Sequence, residues 1–95
     1  MMKKTVRINW NGREEEVVVR ELTWGEYNKL LSEVIQVKMV GNLPQTQFDF
    51  AKYRIMLMKM AIEKAPFDKD EVENLPVSIA SKIWQAVTEL NPLLV

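Results

Sequence analysis

Residues 5–20, TVRINWNGREEEVVVR, decide the first third of the fold. Apolar and polar side chains alternate on both sides of Asn11-Gly12, and that dipeptide is typical of a two-residue type I′ hairpin turn. The turn fixes the register and places on one face the apolar residues Val6, Ile8, Trp10, Val17 and Val19. Because an isolated two-stranded ribbon is marginal in water, this face has to pack on helices or on strands of another subunit.

A helix follows the hairpin directly. Thr23 and Glu26 fit a capping box, in which each side chain accepts a hydrogen bond from the other residue's backbone amide. Apolar residues then recur at steps of three and four positions, which predicts a helix that ends near Met39, before Gly41. In this helix Trp24 is predicted to face the core.

A second, longer helix is predicted from about Thr46 to Lys64, after a connection at residues 41–45. Gly41 suits a left-handed helix end, and Pro44 disfavours a helical conformation in the residue before it. Apolar residues cover most of the circumference of the second helix and leave one narrow polar stripe. Met56 falls inside that stripe, where a solvent-facing methionine is explained either by a partner or by simple chance.

The last third of the sequence predicts two further helical segments. Asp68 can cap a short helix through about Asn74. Leu75-Pro76 opens a final helix that Asn91-Pro92 ends, and an apolar tail follows at residues 93–95. The sequence thus predicts a single α+β domain over residues 1–95: a β-hairpin at 1–21, and a helical part at 22–95 built as a bundle of three main helices plus a short helical turn.

Composition limits the possible functions. The chain of 95 residues supports one core, and with 47% hydrophobic and 27% charged residues it lies in the ordinary globular range. The 13 Lys and Arg residues balance 13 Asp and Glu residues, so we expect no nucleic-acid partner. No segment reaches the ~20 apolar residues of a membrane span, so we expect no membrane partner and a cytoplasmic location.

Histidine and cysteine are both absent, which removes the usual proton shuttle and the commonest metal ligands. We therefore expect no catalytic residues, no metal and no cofactor. A small enzyme that uses carboxylates alone is the remaining catalytic alternative, but neighbours in the run Glu14-Glu15-Glu16 point to opposite faces of a strand. A solvated hairpin tip explains that run more simply.

The chain has six methionines, several of them on the second helix, and thioether side chains suit surfaces that adapt to varied helical partners. Core filling is the simpler interpretation of methionine on a buried helix. Trp10 at the hairpin tip is a possible half-exposed aromatic anchor. The candidate partner-binding residues are Trp10, Tyr53, Met56 and Met60.

Three local signatures and the order of the elements resemble the small tail assembly chaperones of tailed phages and prophages. The signatures are RELTWGEY at residues 20–27, the break at Pro66 after a long helix, and the final helix from Leu75-Pro76 to VTELN at 87–91. The resemblance implies a nonenzymatic protein of the host cytoplasm that binds the tape measure protein, a very long helical chain. It also implies that the chaperone prevents aggregation of this client until tail tube subunits replace it, and that the protein forms a homo-oligomer.

The main alternative is a small nonenzymatic adaptor or regulatory module that contacts a protein partner through its hairpin. Gene neighbourhood separates the two hypotheses. A reading frame for a very long coiled-coil-like protein immediately downstream favours the chaperone, and an isolated or regulatory context favours the adaptor.

Overall fold

In the computed structural model, which describes residues 2–92, the N-terminal hairpin has the predicted register. Strands β1 (Lys3–Trp10) and β2 (Arg13–Arg20) pair antiparallel, with Val6 opposite Val17. Asn11 and Gly12 have φ angles of 52° and 79°, the left-handed values that a type I′ turn requires. The apolar face of this hairpin is covered by helices, so it forms one wall of the core.

Two segments between the first and second helices differ from the prediction. Helix α1 (Trp24–Val34) ends five residues before Met39, because the backbone of Ile35 is already extended. Strands β3 (Ile35–Val40) and β4 (Leu43–Phe48) form a second antiparallel hairpin, and helix α2 (Phe50–Ala61) begins after it rather than at Thr46. The prediction of a helix through Met39 and of an unstructured connection at 41–45 was therefore wrong.

The end of α2 also differs, since the predicted helix ran to Lys64. Strand β5 (Ile62–Lys64) leaves the helix and pairs antiparallel with β2, which gives a three-stranded sheet of order β1-β2-β5. Ile62 lies opposite Val19 and is buried, so its burial favours the extended conformation over another helical turn.

The C-terminal elements agree with the prediction. Asp68 accepts a hydrogen bond from the amide of Asp70 and caps a 3₁₀ helix (Lys69–Asn74). Helix α3 (Val77–Leu90) ends before Asn91 and packs on β1 and β2. Residues 2–92 thus form a mixed α+β domain with N-terminal strands and three α-helices. The prediction of a hairpin and a helical bundle did not include β3, β4 and β5. The predicted apolar tail lies outside the described residues.

The core lies between the three-stranded sheet and the helices. Its largest fully buried side chains come from strand β2 and from α1, α2 and α3: Val17, Val19, Leu30, Val34, Leu57, Ile83 and Val87. α1 packs on α2, and α2 packs on α3 and the 3₁₀ helix. All side-chain nitrogen and oxygen atoms that are buried in residues 2–92 have hydrogen-bond partners.

The Asn91 side chain connects the end of α3 to the segment between β2 and α1 by hydrogen bonds. Its side-chain oxygen accepts a hydrogen bond from the amide of Leu22 at 2.8 Å, and its side-chain nitrogen donates to the carbonyls of Arg20 at 3.2 Å and Val87 at 3.0 Å. The residue is only 5% exposed, so water does not replace these bonds.

We predict that Asn91→Ala lowers the free energy of unfolding by about 2 kcal/mol, because it leaves the buried Leu22 amide and Arg20 carbonyl without partners. Chemical denaturation measures the change. Asn74→Ala is the matched control, because Asn74 is exposed and its amide bonds only to Glu71. Equal stabilities of the two variants would contradict this role for Asn91.

An ion pair at the junction of β2 and α1 reinforces the capping box. The Thr23 hydroxyl accepts from the Glu26 amide at 3.2 Å, and the Glu26 carboxylate accepts from the Thr23 amide at 2.9 Å. Both terminal nitrogens of Arg20 donate to the same carboxylate, at 2.8 and 2.6 Å. The Arg20 hydrogen bond and the Thr23 amide together lower the pKa of Glu26 to about 2.

Since the folded-state pKa of Glu26 lies below its ordinary value, the stabilisation is fully present at neutral pH and is lost as pH falls from about 5 to about 2. We predict that Glu26→Gln lowers the free energy of unfolding at pH 7 by about 1–2 kcal/mol, because solvent screens part of the ion pair. The same substitution should reduce the acid limb, which is the loss of stability between about pH 5 and about pH 2. Denaturation at a series of pH values measures it. Glu33→Gln on the same helix is the control, and an acid limb that survives Glu26→Gln unchanged would contradict the prediction.

Candidate protein-binding surface

Residues 35–48, which we call the ribbon, form the two-stranded sheet β3-β4. Gly41 has a φ of 64° and is the first residue of the two-residue turn, the position at which a type II′ hairpin turn favours glycine. Ile35 to Met39 alternate apolar and polar side chains, as a strand with one buried face does. The sequence therefore encodes a ribbon with two different faces.

The base of the ribbon is closed by the helices on either side. The amide of Asp49 donates to the carbonyl of Val34, the last residue of α1, at 2.9 Å. The Asp49 side chain accepts from the amide of Lys52 at 3.0 Å and so caps α2. One residue thus ends the ribbon and begins the next helix.

One face of the ribbon is uncharged and almost wholly apolar. Because residues that face each other across antiparallel strands point to the same side, the pairs Ile35–Phe48, Val37–Thr46 and Met39–Pro44 share this apolar face. The polar face carries Gln36, Lys38, Gln45 and Gln47, with Val40 and Leu43 beside the turn. Lys38 is the single charged residue of the ribbon.

Most of the apolar face is not covered by the described part of the chain, and only its base, at Ile35 and Phe48, is partly covered. All residues of both strands are exposed, and the side chains of Val37 and Met39 are 66% and 65% exposed. Large apolar side chains that lie together at the surface of a small protein indicate an interaction site. The sequence predicted extensive apolar surface on the second helix, whereas the structure has its exposed apolar face on the ribbon.

An aromatic cluster continues the apolar surface from the ribbon onto the helices. The ring of Phe48 lies 5.1 Å from Phe50 and 5.5 Å from Tyr53, and Tyr53 lies 6.3 Å from Trp84 between ring centroids. The Arg54 guanidinium lies 5.2 Å from the centre of the Trp84 ring. Phe50 is 60% exposed, so the apolar surface extends beyond the ribbon base.

A shallow groove of about 550 Å³ lies between α2, the 3₁₀ helix and α3. Apolar side chains dominate its lining, and the charged Arg54 and Glu73 also contribute to it. The main apolar contributors are Ile55, Met58, Leu75, Val77 and Trp84. This groove lies between α2 and α3, which correspond to the predicted second and final helices.

The structure places three of the predicted partner-binding residues on α2 and the fourth, Trp10, at the end of β1. Tyr53 is buried in the aromatic cluster. Met56 and Met60 are partly buried against the core, and Trp10 is partly buried with its ring 5.3 Å from Phe67. None of the four forms part of the ribbon.

Two of the predicted side-chain environments differ in the structure. Met56 is only partly exposed, because it packs against the core. Trp24 does not face the core: it is 71% exposed at the first turn of α1, where its ring lies 6.0 Å from Tyr27. Replacing Met56 or Met60 by a charged residue would thus disturb packing as well as any binding.

The apolar face of the ribbon was missed although the sequence carries signals for it. Alternation from Ile35 to Met39 and a glycine that begins a two-residue turn are typical of a hairpin. The apolar spacing of α1 continues as far as Ile35, and Pro44 is usually a break rather than part of a strand. Those two features favoured a helix and a loop.

We predict that Met39→Gln changes the free energy of unfolding by less than about 0.5 kcal/mol, because the side chain is exposed and contributes little to packing. The same substitution at Met58, which is 5% exposed, should cost about 2 kcal/mol or more, because it buries an amide. Thermal or chemical denaturation compares the two. A large loss of stability for Met39→Gln would mean that the ribbon is covered by the chain itself.

None of the helices described between residues 2 and 92 combines the length and the apolar character needed to cross a bilayer. In the same part of the chain, no group of three or more Asp and Glu side chains is arranged to hold a metal ion. No protein-family model matches the sequence, and comparison with curated proteins and with solved structures found no significant similarity. The feature of the described chain that points most directly to a function is the exposed apolar face of the ribbon.

Proposed function

We propose that this protein is a tail assembly chaperone of a tailed phage or prophage, which binds the helical tape measure protein and prevents its aggregation during tail assembly. The single observation that carries the proposal is the uncharged, exposed apolar face of the ribbon. A client with a long apolar helical stripe needs such a face to cover it until its permanent partners arrive. The resemblance of residues 20–27 and 75–91 to this class of chaperone supports the choice of client.

The dimensions of the ribbon suit a helical client. Each strand has six residues and is about 20 Å long, which corresponds to about four turns of α-helix. Apolar anchors at positions i, i+3 or i+4, i+7 and i+11 of the client would therefore contact the apolar face along its full length. The exposed ring of Phe50 extends this contact at the ribbon base.

The small size of the face suits reversible binding. Its footprint is about 200 Å², well below the roughly 800 Å² that each partner buries in a standard stable interface. One copy would bind weakly and be displaced easily by tail tube subunits. Several copies along one long client would together cover its apolar stripe, which is the proposed reason for homo-oligomerisation in the cytoplasm of the host.

The test uses a helical fragment of the tape measure protein from the same genome. We predict that the wild-type protein suppresses light scattering by the aggregating fragment, and that Val37→Thr combined with Met39→Gln weakens binding about tenfold or more. Two apolar side chains at the centre of the face are then polar, and each loses of the order of 1 kcal/mol of burial. Fluorescence anisotropy of the labelled fragment measures the affinity.

Gln45→Thr combined with Gln47→Thr is the matched control, because both residues lie on the polar face of the same ribbon. This control should bind the fragment as the wild type does. Equal suppression of aggregation by the apolar-face variant and by the wild type would contradict the proposal.

A further inference from the structure

The two outer edges of the ribbon differ in their capacity to accept another strand. A two-residue turn places a hydrogen-bonded pair, Val40–Leu43, next to the loop, and pairs alternate from there along the strands. Pro44 therefore lies at a position where the backbone amide would point away from β3, and proline has no amide hydrogen to donate there. This is a usual way to block an edge strand, and it protects β4.

The edge of β3 carries no such block. By the same alternation, the backbone groups of Val37 and Met39 point outward, and so does the carbonyl of Ile35. The amide of Ile35 donates to the carbonyl of Leu31. Within residues 2–92, no backbone partner bonds the outward groups of Val37 and Met39.

We propose that β3 pairs antiparallel with β3 of a second copy of this chain, across a two-fold axis through Val37. The two ribbons then form one four-stranded sheet in the order β4-β3-β3-β4. Val37 exchanges both backbone hydrogen bonds with Val37 of the second copy. The amide of Met39 donates to the carbonyl of Ile35 on the second copy, which leaves the Ile35 amide free for its bond to Leu31.

The charge pattern of β3 favours this register over the one that has Lys38 on the axis. With Val37 on the axis, each Lys38 lies opposite Gln36 of the second copy, so an amide faces an ammonium group. A shift by one residue that placed Lys38 on the axis would bring two ammonium groups face to face, and like charges directly opposite each other destabilise a sheet. Lys38 is the only charged residue of the ribbon, so no other charge within the two ribbons opposes the pairing.

A two-fold axis perpendicular to the sheet keeps the apolar faces of both ribbons on the same side. The paired ribbons thus present one continuous apolar face of about 400 Å². This surface is twice as wide as that of one ribbon, so a client helix contacts side chains of both copies. The consequence for the client rests on the proposed function, but the pairing itself does not.

Proline substitutions on the two edges test the pairing. Val37→Pro removes the central outward amide of β3 but no hydrogen bond between β3 and β4, so it should weaken self-association about tenfold or more. Thr46→Pro is the matched control, since Thr46 lies opposite Val37 and its amide points outward on the β4 edge. Sedimentation equilibrium without any client should give a concentration-dependent dimer for the wild type and for Thr46→Pro, and a monomer for Val37→Pro.

A pair of charge substitutions at position 36 tests the register separately. Gln36→Glu places a carboxylate opposite Lys38 of the second copy and should strengthen the dimer about two- to tenfold, whereas Gln36→Lys should weaken it by a similar factor. Added salt should reduce both effects. Circular dichroism melts verify that all four variants remain folded.

A wild-type protein that stays monomeric at all concentrations would overturn the inference, and so would equal association of Val37→Pro and Thr46→Pro. Equal effects of Gln36→Glu and Gln36→Lys would overturn the register. Binding of the tape measure fragment is measured separately on each variant. A monomeric wild type that binds the fragment removes only the pairing, whereas a dimer that ignores the fragment removes only the proposed function.

Discussion

The ribbon carries six uncharged side chains on one face, and the described part of the chain covers only those at its base in part. Apart from Phe48, which contacts Tyr53, these side chains lie outside the buried core. The core closes between the three-stranded sheet and the helices, and Asn91 and the Arg20–Glu26 ion pair hold the segment between β2 and α1 from both sides. Water in contact with the apolar face is unfavourable, and exposed apolar faces of this kind are typical of interaction sites.

Where local rules are sufficient, the sequence predicts the structure in detail. Asn11-Gly12 determines a turn of known geometry, and this turn determines which residues face each other in β1 and β2. Thr23 and Glu26 satisfy each other's amides within one helical turn, so the start of α1 is a local property as well. The same holds for the cap at Asp68 and for the end of α3.

The remaining features depend on contacts that are distant in sequence. Ile62 is a strand residue because it pairs with Val19 of β2. Asn91 is buried where its side chain accepts the hydrogen bond of the Leu22 amide. The ribbon is different, since its alternation is visible in the sequence but its exposure is not. Alternating strands usually cover a core, and only the complete packing of the other elements reveals that this face is left open. For this reason the sequence predicted an apolar surplus but assigned it to the second helix.

The most direct test of the central claim is the solvent accessibility of individual methyl groups, measured by NMR with a soluble paramagnetic agent. In the free protein, the methyl signals of Val37 and Met39 should be attenuated strongly, and those of Leu30 and Leu57 should be unaffected. Adding the tape measure fragment should protect the Val37 and Met39 methyl groups. Protection of these methyl groups in the free monomer, or the same attenuation with and without the fragment, would contradict the account.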